Sequence, residues 1–159
     1  MTGKIAGAAI VATALIAGIA IYYLQTYAFY EEVSYEEEAG VVLQLTNLVT
    51  DTPEPILADS FQGIDANSSP LRFRACFSTP MSVALLTETF VTYEAAEPTT
   101  GPSWFECYDA KQIGADLERG TAFAFLSERD IGDGIDRVIA VYEDGRAYVW
   151  HQLNEKYRD

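Results

Sequence analysis

The sequence predicts an α+β protein with one N-terminal transmembrane helix followed by a small antiparallel-sheet domain with one or two short helices. Residues 5–24 form an uncharged apolar run, several later segments alternate apolar and polar residues, and two short stretches have the spacing of amphipathic helices. We expect a transmembrane anchor with an interfacial aromatic belt over residues 1–30, an acidic stalk over residues 31–40 and the α+β domain over residues 41–159.

The apolar run from Ile5 to Leu24 contains twenty residues and no charge. At a rise of about 1.5 Å per residue it spans about 30 Å, the thickness of the hydrocarbon core of a lipid bilayer. Aromatic residues at its C-terminal end are typical of a membrane interface: Tyr22, Tyr23, Tyr27, Phe29 and Tyr30. A cleaved signal peptide, with Gly18-Ile19-Ala20 as its cleavage site, is the alternative, but the run is long for a signal core. We therefore expect a retained anchor.

Charges on the two sides of the run predict its orientation. Lys4 and the α-amino group precede it, whereas five carboxylates follow it: Glu31, Glu32, Glu36, Glu37 and Glu38. Positive charge is enriched on the cytoplasmic side of membrane spans. We expect a single-pass protein with a cytoplasmic N-terminus and the C-terminal domain on the other side of the membrane.

Small residues on the run predict a helix-packing face. Gly7, Ala14 and Gly18 are spaced by seven and four residues, which places them on one side of a helix. Ala14 and Gly18 form a small-xxx-small pair, which lets transmembrane helices approach closely. We expect this face to dock on an integral membrane protein. The alternative is that alanine and glycine only fill the span.

The charge of the outer part favours some partners and disfavours others. All 24 acidic residues and nine of the ten basic residues follow Tyr30, so this part carries 9 − 24 = −15. Such a domain repels nucleic acid and anionic headgroups and attracts cationic proteins and metal ions. We therefore expect no nucleic-acid partner. The alternative for the charge itself is that it only keeps the domain soluble.

The two cysteines, Cys76 and Cys107, predict a disulfide. Both lie among aromatic residues in strand-like stretches, and an even pair in an exported domain is readily oxidised. Closing a loop of about 32 residues stabilises by about 3–4 kcal/mol in the chain-entropy model. Two buried free thiols are the alternative. A metal site on this pair is not expected, because there is no C-x-x-C spacing and no nearby histidine.

The pattern of apolar residues predicts the strands of the domain at residues 41–49, 71–78, 104–108, 121–126, 137–142 and 146–151. Before them, residues 25–40 continue the helix or form the stalk. The second strand carries Leu71, Phe73, Ala75 and Phe77 on one face and Arg72, Arg74 and Cys76 on the other. The last two strands form a hairpin around Glu143-Asp144-Gly145, with the glycine in a left-handed position.

Two helices are predicted between the strands. Residues 82–90 follow Pro80 and place Val83, Leu86 and Phe90 at helical spacing. Residues 109–119 have an acidic start and a basic end, which suits the helix dipole, and Gly120 ends them. We expect loops or irregular structure over residues 51–55, 56–70 and 97–103, with a turn at 67–70.

No motif in the sequence predicts catalysis. There is no Walker loop, G-x-G-x-x-G, G-x-S-x-G or C-x-x-C-H, and His151 is the only histidine. We expect a structural role for His151 in preference to a ligand role. Asp130, Asp133 and Asp136 are interleaved with glycines and could wrap a hard cation, but their spacing is not that of an EF-hand. An acidic turn between two strands is the favoured interpretation, so no enzyme, cofactor or metal is expected.

Three segments carry a resemblance that covers nearly the full length: MTGKIAG, YYLQTYAFYEEV and RVIAVYEDGRAYVWHQLNEKY. Through them the chain resembles a family of uncharacterised single-span alphaproteobacterial membrane proteins, a domain of unknown function. The resemblance implies a bacterial inner-membrane setting with a periplasmic domain. It implies no activity and no site residue.

Two functions from different classes follow. The first is a non-catalytic accessory or structural subunit of a larger inner-membrane complex, for which a respiratory oxidase or supercomplex is the expected host. In that setting the acidic domain would concentrate a cationic c-type cytochrome by electrostatic steering. The alternative is a membrane-tethered periplasmic binding or assembly factor that uses a pocket or a sheet edge. The proteins that copurify with the chain would distinguish the two.

Overall fold

The computed structural model describes residues 2–35 and 41–157. The chain divides into two compact units, Met1–Tyr30 and Glu31–Asp159. The first unit is helical, and the second is an antiparallel-sheet domain with short helices. The predicted α+β fold class is therefore confirmed.

The first unit consists of helix α1 (Thr2–Tyr23), which continues as a π-helical turn over Leu24–Ala28. Together they form a helix over Gly3–Ala28 that is long and apolar enough to cross a membrane, with a mean hydropathy of 2.2. The single polar side chain of the apolar run is satisfied within the helix, because the Thr13 hydroxyl donates to the carbonyl of Ala9 at 2.9 Å. The predicted apolar N-terminal helix is confirmed.

The described part of the second unit contains eight strands, two α-helices and a final 3₁₀ turn at Glu155–Tyr157. The strands are β1 (Glu31–Val33), β2 (Gln44–Thr46), β3 (Pro53–Pro55), β4 (Asp59–Asp65), β5 (Arg74–Ser78), β6 (Ala122–Gly132), β7 (Ile135–Tyr142) and β8 (Arg146–Leu153). The helices are α2 (Val83–Thr89) and α3 (Ala110–Glu118).

Six strands form one antiparallel sheet in the order β1-β4-β5-β8-β7-β6, and β2 and β3 form a separate two-stranded sheet. The C-terminal strand β8 therefore lies in the middle of the large sheet, between β5 and β7. Within the described residues, β1 and β6 are its two edges.

One side of the large sheet, which we call face one, packs against regular elements. Side chains from four strands point to it: Phe125, Ile139, Ala75, Phe77, Ala147 and Val149. They pack on residues of and around β2, β3 and α2, including Leu45 and Leu86, which are fully buried. Burial of apolar area is the main interaction that holds face one together. Two side-chain hydrogen bonds add to it, from Thr46 to the carbonyl of Ser127 at 2.9 Å and from Ser127 to the carbonyl of Gln44 at 2.6 Å.

The opposite side, which we call face two, packs mainly against α3 and an irregular stretch, residues 94–109, which we call the cover segment. Face two carries Cys76, Trp150 and Ala140, which alternate along their strands with the residues of face one. Trp150 is fully buried there. Both faces of the sheet are therefore covered, which explains why its central strands read as nearly continuous apolar runs.

Both helices begin at a polar cap. The Ser82 side chain accepts from the N–H of Leu85 at the start of α2, and Asp109 accepts from the N–H groups of Lys111 and Gln112 at the start of α3. Gly120 then ends α3 with a φ of +70°, which favours glycine.

A buried carboxylate at the end of α3 fastens this helix to the sheet. Asp116 accepts hydrogen bonds from Gln112 at 3.0 Å, from the Tyr142 hydroxyl at 2.8 Å, and from Arg119 and Thr121. These donors, Gln112 and Tyr142 first, hold the pKa of Asp116 well below its usual range.

The hairpin of β7 and β8 confirms the clearest prediction. Gly145 has a φ of +87°, and a Cβ atom there would lie 2.7 Å from the carbonyl oxygen of Thr79. Only glycine fits this turn without displacing the backbone. The N–H of Thr79 also donates to the carbonyl of Gly145 at 2.8 Å, which joins the turn to the end of β5.

Several predicted boundaries are wrong. Residues 56–70 were expected to be irregular, but 59–65 form β4. Gly63 lies inside this strand, where a Cβ atom would be 2.6 Å from the Phe61 ring and 2.7 Å from Val33, so the glycine allows a close contact in place of a turn. Residues 53–55, expected to be a loop, form β3, whose prolines lie in a short strand outside the large sheet.

The strand predicted at 104–108 is also wrong, because these residues form turns of the cover segment. Their aromatic composition favours a strand, but their backbone closes two turns instead, in which the N–H of Phe105 donates to the carbonyl of Pro102 and that of Tyr108 to the carbonyl of Phe105. The strand predicted at 41–49 shrinks to 44–46, whereas that at 121–126 extends to 132. The stalk prediction fails at residues 31–33, which form β1 and pair with β4; residues 36–40 lie outside the described residues.

Candidate functional site

The predicted disulfide between Cys76 and Cys107 is present, with the two Cα atoms 6.3 Å apart. Cys76 lies on β5 and points to face two, and Cys107 lies near the end of the cover segment. The bond therefore fastens an irregular stretch of chain onto the middle of the sheet.

A buried arginine fastens the same stretch a second time. Arg74 is only 3% exposed, and its guanidinium donates to the carbonyls of Thr99 at 2.7 Å and Thr100 at 3.0 Å. It also donates to the carbonyls of Leu71 and Phe73, at 2.7 and 2.6 Å. Backbone oxygens thus surround the charge, and the planar fork of arginine suits this arrangement better than lysine would.

The cover segment leaves part of face two open beside the sheet edge. The opening is a groove of about 630 Å³, which we call the edge groove. Its floor is formed by β1 and β4, which contribute Glu32 and Gln62, and its wall is formed by the turn residues Trp104, Phe105 and Glu106. The rings of Trp104 and Phe105 meet edge to face, with centroids 6.3 Å apart.

The edge groove combines aromatic surface with uncompensated negative charge. Glu32 and Glu106 are both exposed, and no described residue forms an ion pair or hydrogen bond with either carboxylate. Aromatic faces and carboxylates both attract cations. Sequence reasoning missed this site because it assigned residues 104–108 to a strand. A tryptophan followed closely by a glutamate, after a Pro- and Gly-rich loop, is the signal that could have indicated it.

His151 has a structural role in this arrangement, as the sequence predicts. Arg137 donates from Nε to His151 Nε2 at 3.0 Å, so Nδ1 carries the proton and donates to the carbonyl of Pro70 at 2.7 Å. Phe73 stacks on the imidazole with centroids 4.8 Å apart. Burial, together with the charges of Arg137 and Arg74, lowers the pKa of His151 to about 3. The imidazole is therefore neutral at physiological pH.

The three aspartates of the candidate metal loop lie in and beside the hairpin turn of β6 and β7, as the acidic-turn interpretation predicts. Asp133 bonds to Lys156 and to the Tyr157 hydroxyl. Among the described residues, no group of three acidic, histidine or cysteine side chains is arranged to hold a metal ion. These carboxylates fasten the C-terminal turn onto the hairpin.

Asp136 is the buried member of that set. It accepts from the Tyr93 hydroxyl and the Asn154 amide, both at 3.0 Å, and from the N–H of Asp130 at 3.1 Å. Three donors satisfy this carboxylate inside the protein.

The predicted helix-packing residues Gly7, Ala14 and Gly18 all lie on α1 and are exposed. No described atom lies within 4 Å of a Cβ atom built on either glycine, apart from the helix's own backbone. Of the acidic run that follows, Glu31 and Glu32 lie on β1, and Glu36, Glu37 and Glu38 lie outside the described residues.

Comparison with known proteins places most of the domain in one family. Residues 43–159 match the model of a family described as Family of unknown function (DUF6446). No curated protein and no solved structure matches the chain.

Proposed function

We propose that this chain, which belongs to the Family of unknown function (DUF6446), is a non-catalytic accessory subunit of a larger bacterial inner-membrane complex. The observation that carries the proposal is α1. This helix is apolar on every side, and each residue from Gly3 to Tyr23 is exposed in this chain. A partner helix packed on Gly7, Ala14 and Gly18 would use a surface that the chain itself does not cover.

The disulfide supports a periplasmic position for the domain, because disulfides form and persist in oxidising compartments. An alkaline phosphatase fused after Asp159 should then be active in cells, since this reporter folds only outside the cytoplasm. A reporter that is active only in the cytoplasm at the same position would reverse the proposed topology.

The host complex that we propose is a respiratory oxidase or supercomplex, with a cationic c-type cytochrome as the visiting partner. Charge supports this choice. Several of the exposed cations of the domain are already paired with carboxylates, as in Arg129–Asp51 at 2.6 Å and Arg146–Asp144 at 2.7 Å. The remaining negative excess faces the solvent, where it would accelerate encounter with a basic protein.

Copurification from mild detergent tests the proposed function. An accessory subunit should migrate with a large complex at fixed stoichiometry. Ala14→Leu with Gly18→Leu should release it from that complex while leaving it in the membrane. Ala9→Leu with Ala20→Leu, on the opposite side of the helix, is the matched control. If the chain migrates alone in both the wild type and the control, the accessory-subunit proposal is wrong.

A salt series tests the cytochrome separately. Cytochrome turnover by the host complex, with and without this chain, should differ most at low salt, because the Debye length falls from about 10 Å at 0.1 M to about 3 Å at 1 M. Identical salt curves would leave a purely structural subunit.

The edge groove favours a second candidate, a membrane-tethered periplasmic binding or assembly factor. Such a factor would hold its client through a pocket or sheet edge and would copurify with it in substoichiometric amounts. The same detergent extraction distinguishes the two functions.

A further inference from the structure

We propose that the edge groove is a docking site for a basic segment of a partner protein, which adds to β1 as an extended strand and places an arginine or lysine against Trp104, Glu32 and Glu106. The proposal deepens the proposed function by naming the chemistry of a partner. It rests on that function only for the compartment in which the domain meets this partner.

The first argument is the edge of the sheet. Among the described residues, strand β1 pairs only with β4. Directly after it, the carbonyl of Ser34 accepts from the N–H of Val41 at 3.2 Å, so the side of Glu31–Val33 away from β4 is the stretch to which an incoming strand could add. Glu31 and Glu32 are exposed and Val33 is half-buried, so an extended segment can reach this side. Strand addition at an open sheet edge is a recurring mode of peptide recognition.

The second argument is the alternation of side chains along β1. Glu32 pairs with Ile64 and points to face two, where the edge groove lies, whereas Glu31 and Val33 point to face one. An added strand would place one residue opposite each of them. Opposite charges favour a basic residue across from Glu32 and another across from Glu31, and an aliphatic residue suits Val33.

The third argument is the aromatic wall. The cation opposite Glu32 would meet the Trp104 and Phe105 rings and the second carboxylate, Glu106. Arginine suits such a site best, because its guanidinium stacks on aromatic rings and forms forked hydrogen bonds with carboxylates.

Other occupants fit less well. A second copy of this chain would bring another domain of net charge 9 − 24 = −15, which repels the first. A choline headgroup would satisfy the rings and carboxylates but would leave the backbone groups of β1 unused. The combination of strand edge, aromatic wall and two carboxylates therefore favours a protein segment.

Trp104 provides a direct readout of occupancy. The chain has two tryptophans, and the other, Trp150, is fully buried on face two. The experiment uses the full chain in an uncharged maltoside detergent and the blocked peptide Thr-Thr-Val-Arg-Arg-Thr-Thr. Binding should change the tryptophan fluorescence saturably, and Trp104→Phe should remove that signal. The same peptide with glutamates in place of the arginines should not bind.

Matched variants test the carboxylates. Glu32→Gln with Glu106→Gln should raise the Kd of the peptide by about tenfold or more, and a tenfold change corresponds to about 1.4 kcal/mol. Glu88→Gln with Glu143→Gln removes the same charge from exposed positions outside the edge groove and should change affinity less than about twofold, as expected for screened charges. An equal loss of peptide affinity in the two double variants would show that only the overall negative charge attracts the peptide, and it would overturn the proposed site.

N-methylated peptides test strand addition. Methyl groups on alternate amides, in one frame or the other, block hydrogen bonds on opposite sides of an extended peptide. Of these two methylated peptides, the one whose blocked amides face β1 should not bind, and the other should bind as well as the unmodified peptide. Full binding of both would overturn strand addition, and displacement of the peptide by millimolar phosphocholine would reassign the groove to a lipid headgroup. These outcomes do not depend on copurification, so failure here is distinguishable from failure of the proposed function.

Discussion

The two faces of the large sheet are covered in different ways. Face one packs against β2, β3 and α2 mainly through apolar side chains, with a few side-chain hydrogen bonds, such as that from the Thr46 hydroxyl to the carbonyl of Ser127 at 2.9 Å. The cover segment of face two is held by the Cys76–Cys107 disulfide and by side-chain hydrogen bonds to its backbone. Arg74 supplies two of these bonds, and Gln152 accepts from the N–H of Glu97 at 2.8 Å and donates to the carbonyl of Ala95 at 3.0 Å.

This difference shows what each kind of interaction permits. Apolar packing needs close, regular contact over a wide area, so it leaves face one filled. A covalent bond and a few hydrogen bonds hold an irregular segment at particular points, and the chain between those points need not fill the surface. The edge groove lies where the cover segment stops short of β1.

The largest expected effect is in the core of face one. Phe125 is fully buried, so Phe125→Ala should lower the free energy of unfolding by about 3–5 kcal/mol through lost burial and a cavity. Urea unfolding of the full chain in detergent, followed by circular dichroism, measures it, with Phe125→Leu as a milder control. A loss below about 1 kcal/mol would contradict the view that apolar packing holds this face.

Removing the disulfide should lower the free energy of unfolding slightly less, and it should loosen the cover segment before face one. Cys76→Ser with Cys107→Ser opens a loop with a sequence separation of 31 and should cost about 3–4 kcal/mol in the chain-entropy model. Hydrogen exchange should rise first in the cover segment, whereas Leu45 and Leu86 of face one should remain protected. Uniform loss of protection would show that the two faces are not held independently.

Between pH 7 and pH 5, the pH dependence of stability should come from His151, which stacks on Phe73. The pKa of His151 falls to about 3 in the folded state, against about 6.5 when unfolded, so only the unfolded chain takes up the proton as pH falls below 6.5. Stability is therefore full above pH 6.5 and decreases toward pH 3. Between pH 7 and pH 5 the loss should be about 2 kcal/mol.

His151→Gln removes this titration while keeping a donor and an acceptor, so its stability should change much less over the same pH range. Urea unfolding at pH 7, 6 and 5 measures both proteins. Parallel curves for the wild type and the variant would show that His151 is not the responsible group.

The smallest effects should be equal on the two faces. Ser82 caps α2 on face one and Asp109 caps α3 on face two, each through its side-chain oxygen. Ser82→Ala and Asp109→Ala should each cost about 1 kcal/mol. If Asp109→Ala cost much more, its role would extend beyond capping to the cover segment that it ends.

The parts of the fold that local sequence pattern determines were predicted, whereas the parts that depend on contacts between distant residues were not. The spacing of Val83, Leu86 and Phe90 predicted α2, and Gly145 predicted the last hairpin, because local periodicity and turn chemistry determine both. β4 was missed because Gly63 serves a contact between distant residues, which no local pattern records. The edge groove was missed for the same reason, since Glu32 and Glu106 meet only through the sheet register and the disulfide.

The central position of β8 has a consequence for biosynthesis. Arg74 of β5 pairs with Trp150 of β8, and Val138 of β7 pairs with Trp150 from the other side. Without β8, the strands β1, β4 and β5 on one side and the hairpin of β6 and β7 on the other have no strand pairing between them. The large sheet therefore becomes continuous only after β8 has been synthesised and has inserted between β5 and β7. A chain that is cut before Arg146 would lack the strand that joins the two halves, so those halves could not form one continuous sheet.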